Sequence, residues 1–304
     1  MEKYLKVDNY YLLNEVIGKD SYGNEYYLAY RAKNKFLIKK YKRQKPDENN
    51  LQKRFIRHEL LNFQYMSHKN IIKAKDVKKT KNHIYIIMQY CNGASLKQNM
   101  EKYIIKYGKP FSEKITQHII RQIFDVINYL NIKSYVNYDL PLEDILLNYY
   151  SEETKNNLDI FHSDLILANL IFAEHYLKNA LDIILIVKRV IDKIFLFCYY
   201  LFTGDLSFKI IDDNDLMKKE IKIPINLSLE AISFLINILK NYQDKIENIE
   251  ELSNHPFLKK YFGDFVDIDI KSISKFIKDE YIVFNINNVN EIHSIIRNHN
   301  IDKI

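Results

Sequence analysis

The sequence predicts an α+β protein of two unequal parts, a small β-rich part followed by a larger helical one. Three observations carry this. The first ninety residues are short runs rich in aromatic and β-branched residues, punctuated by turn residues. One helix-like segment interrupts them. Beyond Asn92-Gly93 the apolar residues recur at helical spacing instead of alternating.

The elements follow in order. Tyr10–Ile17, Tyr26–Ala32 and Lys35–Tyr41 are strand-like, separated by Gly18, Gly23 and a Lys33-Asn34 turn. Leu51–Met66 is the helix. Ile71–Val77 and Ile84–Tyr90 are two further strands, the second almost wholly apolar. Ser112 can cap a long helix in which Ile115, Ile119, Ile123, Ile127 and Leu130 form one stripe. Val190–Phe202 is apolar all round, as a helix inside a lobe should be, and Gly204 stops it. Ser228 starts a helix through Leu239, and Asn248 with Glu251 resembles a capping box for another. Residues 263–304 read as a polar, Asn-rich tail with one strand-like run, Tyr281–Ile286, and a helix after it.

The bulk properties narrow the function. The chain has 304 residues, enough for a dry core, with 47% apolar and 28% charged residues. Net charge is +6, and the densest basic run is Lys39-Lys40-Tyr41-Lys42-Arg43-Gln44-Lys45. A nucleic-acid surface would pair such a run with aromatic platforms; a solvated strand end is the reading favoured, so no nucleic-acid partner is expected. Cys91 and Cys198 lie far apart without metal-ligand spacing, which fits a reduced compartment. The polar N-terminus has no secretory apolar stretch, and Lys188, Arg189, Asp192 and Lys193 interrupt Leu181–Phe202. The expectation is a cytoplasmic chain without a membrane span.

Five short constellations stand in sequence. They are Gly18-Lys-Asp-Ser-Tyr-Gly23; Phe36-Leu37-Ile38-Lys39, with Glu59 and the His68-Lys-Asn70-Ile71 turn after it; Ile86 to Gly93; Asn137-Tyr138-Asp139-Leu140-Pro141-Leu142-Glu143-Asp144; and Asn169-Leu170-Ile171. In order and spacing, from about Tyr11 to Leu258, they resemble the eukaryotic protein kinase superfamily, of the Ser/Thr type. No single motif is intact; the specificity lies in their joint order.

The resemblance implies a bilobal protein kinase fold within residues 1–262: an N-lobe over 1–90 with one αC helix, a hinge at 91–93 and a mainly helical C-lobe over 94–262. Residues 263–304 are a tail of unknown role. It also implies an ATP site. Gly18 and Gly23 would belong to a phosphate-covering hairpin whose middle glycine is Asp20, a negative charge facing phosphates. Lys39 would hold phosphates and pair with Glu59. Met88 would be the gatekeeper, and Gln89 and Cys91 would line the hinge. Leu37 replaces the alanine that lies against adenine, and Glu25 or Tyr26 would crowd the opposite side.

Asp139 matches the catalytic Asp, while Asn137 and Tyr138 replace its preceding His and Arg, and Pro141 replaces the Lys that offsets γ-phosphate charge. The two metal positions hold Asp144 and Asn169, the reverse of the family's Asn and Asp. Their summed charge is unchanged, so an ion between them and a phosphate is one reading and independent drift at an abandoned site is the other. Asn148–Ser163 would then be an insertion between the two strands that follow the catalytic loop; a rival placement of the second metal position, Asp164-Leu165-Ile166, would restore the Asp, but no apolar strand precedes it. No A-P-E follows; only 16 residues, Phe172 to Val187, precede the apolar helix, and the Arg that would pair with its Glu is Ile246. His255 reads as a packing or capping residue.

Together these departures point to a pseudokinase that binds a protein partner, with ATP and Mg²⁺ held weakly or not at all. An active or residually active Ser/Thr kinase is the alternative, and a nucleotide-binding switch a third reading.

Overall fold

The computed structural model describes residues 4–19, 23–43, 51–133, 135–137, 140–168, 173–175, 180–205, 219–244, 249–259 and 274–297. In chain order the elements are β1 (Tyr4–Val7), β2 (Tyr10–Lys19), β3 (Glu25–Arg31), β4 (Asn34–Lys42), α1 (Leu51–Tyr65), β5 (Ala74–Lys79), β6 (His83–Gln89), α2 (Leu96–Tyr107), α3 (Glu113–Ile132), β7 (Tyr135–Asn137), β8 (Ile145–Tyr149), α4 (Glu152–Asn157), β9 (Ser163–Leu167), β10 (Ala173–His175), α5 (Ala180–Thr203), β11 (Ile221–Pro224), α6 (Leu229–Asp244), α7 (Ile249–Ser253), α8 (Pro256–Lys259), β12 (Ile277–Lys278), β13 (Tyr281–Phe284) and α9 (Val289–Arg297). They form two compact units, Met1–Asn99 with Pro141–Glu174 and Met100–Leu140 with His175–Ile304. The α+β class and the elements of a bilobal kinase fold are present.

The first unit is built on an antiparallel six-stranded sheet in the order β1-β2-β3-β4-β6-β5. The period of two sorts its side chains onto two faces. One face carries Tyr10, Leu12, Ala29, Phe36, Ile38, Tyr85 and Ile87, which pack together. The sheet curls until its edges meet: Lys78 of β5 pairs with Asp8 of the β1–β2 turn at 2.8 Å, and Tyr10 donates to Asp76 at 3.4 Å. Arg31 donates to the Tyr10 hydroxyl at 2.8 Å and lies over the rings of Tyr10 and Phe36. The other face, with Leu37, Lys39 and Tyr41, looks toward Ile56 of α1 and builds the site described below.

Strand β5 is displaced along the chain relative to the expected Ile71–Val77. β5 begins at Ala74 rather than Ile71, because Ile71 and Ile72 are engaged elsewhere: Ile71 bridges to Leu167, and the Ile72 N–H donates to the Leu167 carbonyl at 3.0 Å. The Asn70 side chain donates to the Leu165 carbonyl at 2.7 Å, so this turn is stitched to β9. β8 and β9 pair in register from Ile145↔Leu167 to Tyr149↔Ser163. Between them lie α4, opened by a Ser151–Thr154 capping box, and a short 3₁₀ turn over Ile160–His162.

In the second unit Ser112 caps α3, whose stripe Ile115, Ile119, Ile123, Ile127 and Leu130 is buried. The rings of Phe124, Phe234, Phe257 and Phe202 then stack across α3, α6, α8 and α5 at 5.3–5.8 Å between centroids. Glu113 accepts hydrogen bonds from the Ser228 N–H and hydroxyl, joining the starts of α3 and α6. Helix α5 begins at Ala180, ten residues before the expected Val190. Nothing in residues 180–189 breaks a helix, since neither Gly nor Pro occurs there. It ends at Gly204, whose φ of 71° is the left-handed conformation that glycine adopts freely. The Phe257 N–H donates to His255 Nδ1 at 3.2 Å, and the ring packs on Phe234, as expected for a structural histidine.

The tail is part of this unit. β13 pairs with β11, giving the order β11-β13-β12, and Ile282, Phe284, Ile286, Val289 and Ile292 are buried. The strand-like run stops at Phe284, because Asn285 caps a 3₁₀ turn that leads into α9.

Candidate functional site

The site lies within the first unit, where β3, β4, β6, α1, the segment after β6 and the β8–β9 hairpin converge. Its centre is an ion pair. Lys39 Nζ lies 2.9 Å from Glu59 Oε1, and both side chains have no exposure to solvent. The second Glu59 oxygen accepts a hydrogen bond from the Tyr41 hydroxyl. Burial, then the Glu59 charge, push the Tyr41 pKa well above its ordinary value, so the phenol stays a donor. The Lys39 ammonium also lies 5.2 Å from the centre of the Tyr41 ring and 5.8 Å from that of Tyr26.

Strand register explains this arrangement. Tyr26 of β3 stands opposite Lys39 of β4, and Leu28 opposite Leu37. Glu25 and Tyr27 fall on the other face, where Tyr27 donates to Glu25 at 2.6 Å. Of the two candidates for the residue that crowds the nucleotide position, Tyr26 is therefore the one on the site's face. It is joined by Leu37, Met88, Cys91, Ile166 and Ala168 in one packed apolar cluster, with Leu146 against it. Met88 is fully buried. Burial also pushes the Cys91 thiol up to about 12, against a weaker opposing effect of Gln89, so it is an inert apolar side chain here. Gln89 is half-buried, and its N–H is bound to the Lys73 carbonyl at 3.0 Å.

The segment after β6 is zipped to β8. The Gly93 N–H donates to the Leu147 carbonyl at 2.9 Å, and the Leu147 N–H to Ala94 at 3.0 Å. Asn92 pairs its amide with both backbone groups of Tyr149 at 2.8 and 3.0 Å, and Tyr149 donates to Asn99 at 2.9 Å. A Cβ on Gly93 would lie 2.6 Å from the Leu147 oxygen, so the close approach requires glycine.

Of the remaining residues singled out from the sequence, Gly18 ends up in β2 opposite Tyr26, and Gly23 takes a φ of 78° two residues before the return strand β3. Asp144 is buried; its N–H donates to the Pro141 carbonyl at 3.0 Å and its carbonyl accepts from Ala168 at 2.8 Å. Asp164 sits inside β9 opposite Asn148 and accepts from Tyr150 at 3.2 Å. Asp20, Tyr138, Asp139, Asn169, Leu170, Ile171, Ile246 and Asn248 lie outside the described residues.

The sequence reading missed three members. Tyr41 was detectable as the residue two places beyond Lys39, hence on the same strand face. Asn92 and Tyr149 gave no local signal, because 57 residues separate them.

Comparison with known proteins agrees with this layout. Residues 11–157 match the protein kinase domain model. Calcium-dependent protein kinase 5 of Plasmodium berghei is 28% identical over 93% of the chain and 50% of its own length. Protein kinase kin1 of Schizosaccharomyces pombe is 27% identical over 85% of the chain and 32% of its own length. A putative serine/threonine-protein kinase of Acanthamoeba polyphaga mimivirus is 33% identical over 33% of the chain and 22% of its own length. The chain thus spans half or less of these relatives. With the constellations in order, the Lys39–Glu59 pair formed and the domain model matched over residues 11–157, that part of the chain is similar to the protein kinase domain, and the chain's relatives support the eukaryotic protein kinase superfamily.

Proposed function

We propose that the chain is a pseudokinase: a kinase-like domain that acts by binding a protein partner in the cytoplasm and holds nucleotide weakly or not at all. One observation carries the reading. The positions that would line an adenine ring pack on one another, and Tyr26 and Tyr41 seal the Lys39 ammonium that would meet phosphates. The family implies ATP and Mg²⁺; in this reading Tyr26, Leu37, Met88, Cys91 and Ala168, buried together in one apolar cluster, would have to part to admit an adenine ring. In this setting the Lys39–Glu59–Tyr41 constellation is architectural: it ties β4 to α1 from within.

The sequence departures agree. Phosphoryl transfer rests on positioned charge rather than covalent chemistry. Pro141 removes a cation near the transferred group, and the loss of each such charge costs on the order of 10²-fold by analogy with other transition-state donors. The metal positions Asp144 and Asn169 are read as drift at an abandoned site. The formed Lys39–Glu59 pair is the one observation that favours residual Ser/Thr kinase activity.

The test is transfer of labelled γ-phosphate to generic peptide substrates and to the chain itself. Background incorporation is expected. Turnover at the rate of ordinary kinases, abolished by Asp139→Asn, would overturn the proposal.

A further inference from the structure

Two basic runs far apart in the sequence come together at one end of the six-stranded sheet. Lys40, Lys42 and Arg43 close β4, while Lys78, Lys79 and Lys81 surround the turn from β5 to β6. Neither residues 34–43 nor residues 77–83 include an Asp or Glu. The β4–β6 register sets Lys42 opposite His83 and Lys40 opposite Tyr85.

Arg43 fixes the junction. Its N–H donates to the Asn82 carbonyl at 2.8 Å and its guanidinium to the Thr80 carbonyl at 2.9 Å. Lys78 is committed to Asp8 and Asp76. Lys40 lies over the Tyr27 ring, and Glu25, opposite Lys40, accepts from the Tyr27 hydroxyl. Lys42, Lys79 and Lys81 point to solvent, and no ion pair among the described residues engages them. The positive field is concentrated at this end: burial, then Lys40 and Lys42, hold the His83 ring below its ordinary pKa.

We propose that this rim, Lys40, Lys42, Lys79, Lys81 and His83, is a docking surface for an acidic, Asp/Glu-rich segment of a partner protein. The carrying argument is charge complementarity on a pre-formed edge, where Arg43 holds the turn in place before any partner arrives. A nucleic acid would want exposed rings for base stacking. Here Tyr85 is buried and Tyr27 and His83 are half-buried. The rim lies outside the nucleotide positions, so its failure and the failure of the pseudokinase reading are read by different assays.

The test uses the full chain, a fluorescently labelled oligoglutamate peptide and an oligothymidylate of equal charge. Binding is followed by anisotropy at low salt. The peptide is expected to bind the parent and to lose about twenty-five-fold in affinity in Lys42→Ala/Lys81→Ala, since each removed contact at water's dielectric is worth roughly fivefold. Lys102→Ala/Lys106→Ala, which removes the same charge from exposed positions of α2, should leave binding unchanged. Bound peptide should also raise the NMR-observed pKa of His83. No peptide binding, equal loss in both double variants, an unmoved His83, or tighter binding of the oligothymidylate through the same lysines would each overturn the proposal.

Discussion

Replacing Lys39 by methionine separates an architectural lysine from a nucleotide-binding one. The change removes the cation that lies 2.9 Å from Glu59 in a site closed to solvent. At an effective dielectric of about 20 the direct attraction is about 6 kcal/mol. Part of it offsets the desolvation of two charges, so the net loss on stranding Glu59 is about 3–5 kcal/mol. For a domain of this size that is a fall in Tm of roughly 6–10 °C. The double change Lys39→Met/Glu59→Leu removes both charges and should recover most of the loss. Urea and thermal unfolding of parent, single and double variants measure this directly. A single variant within about 1 kcal/mol of the parent, or a double variant as unstable as the single, would refute the claim that the pair holds β4 to α1.

Three further outcomes follow from the packing. Gly93→Ala should cost about 1–3 kcal/mol in chemical unfolding, because its Cβ meets the Leu147 backbone and the Tyr149 ring; a neutral effect would mean the zipped segment yields easily. Ile292→Ala in α9 should cost about 2–5 kcal/mol, since the side chain is fully buried; no loss would show that the tail contributes nothing to the second unit's core. Burial, against the two Ser228 hydrogen bonds, raises the Glu113 pKa above the ordinary carboxylate value. A raised folded pKa contributes stability that is present at low pH and lost as pH rises through it. The stability of the parent relative to Glu113→Gln should therefore decline from acid to neutral pH, and a difference that is flat or rises would contradict that sign.

The regular elements were legible because their signals are local. The stripe from Ile115 to Leu130 and the Ser112 cap define α3 unaided, and the apolar run of β6 could hardly be anything but a buried strand. The Lys39–Glu59 pair was legible through family resemblance, since spacing alone cannot say that residues 20 apart touch. The filling of the site was only half visible. Leu37 announced itself as too large, but whether Glu25 or Tyr26 faced it depended on a one-residue register that β3–β4 pairing alone decides. The basic rim was invisible for the same reason: the run from Lys39 read as a solvated strand end, and the lysines at 78–81 gave no signal of their own until the β4–β6 pairing and Arg43 brought the two together. Helix α5 runs from Ala180 straight through Lys188 and Arg189, whose charges tell against a membrane span but need not interrupt a helix.

The central claim, that the chain's own side chains occupy the nucleotide site, is tested most directly by thermal unfolding with ATP, with and without Mg²⁺ or Mn²⁺. A ligand at about a hundred times its Kd adds roughly 2.7 kcal/mol to the stability of the state it binds. The account expects no shift in Tm at millimolar nucleotide under any metal condition, and none in Asp144→Asn. A concentration-dependent rise in Tm would contradict it, and a rise that needs the metal and vanishes in Asp144→Asn would make Asp144 a ligand of a working site.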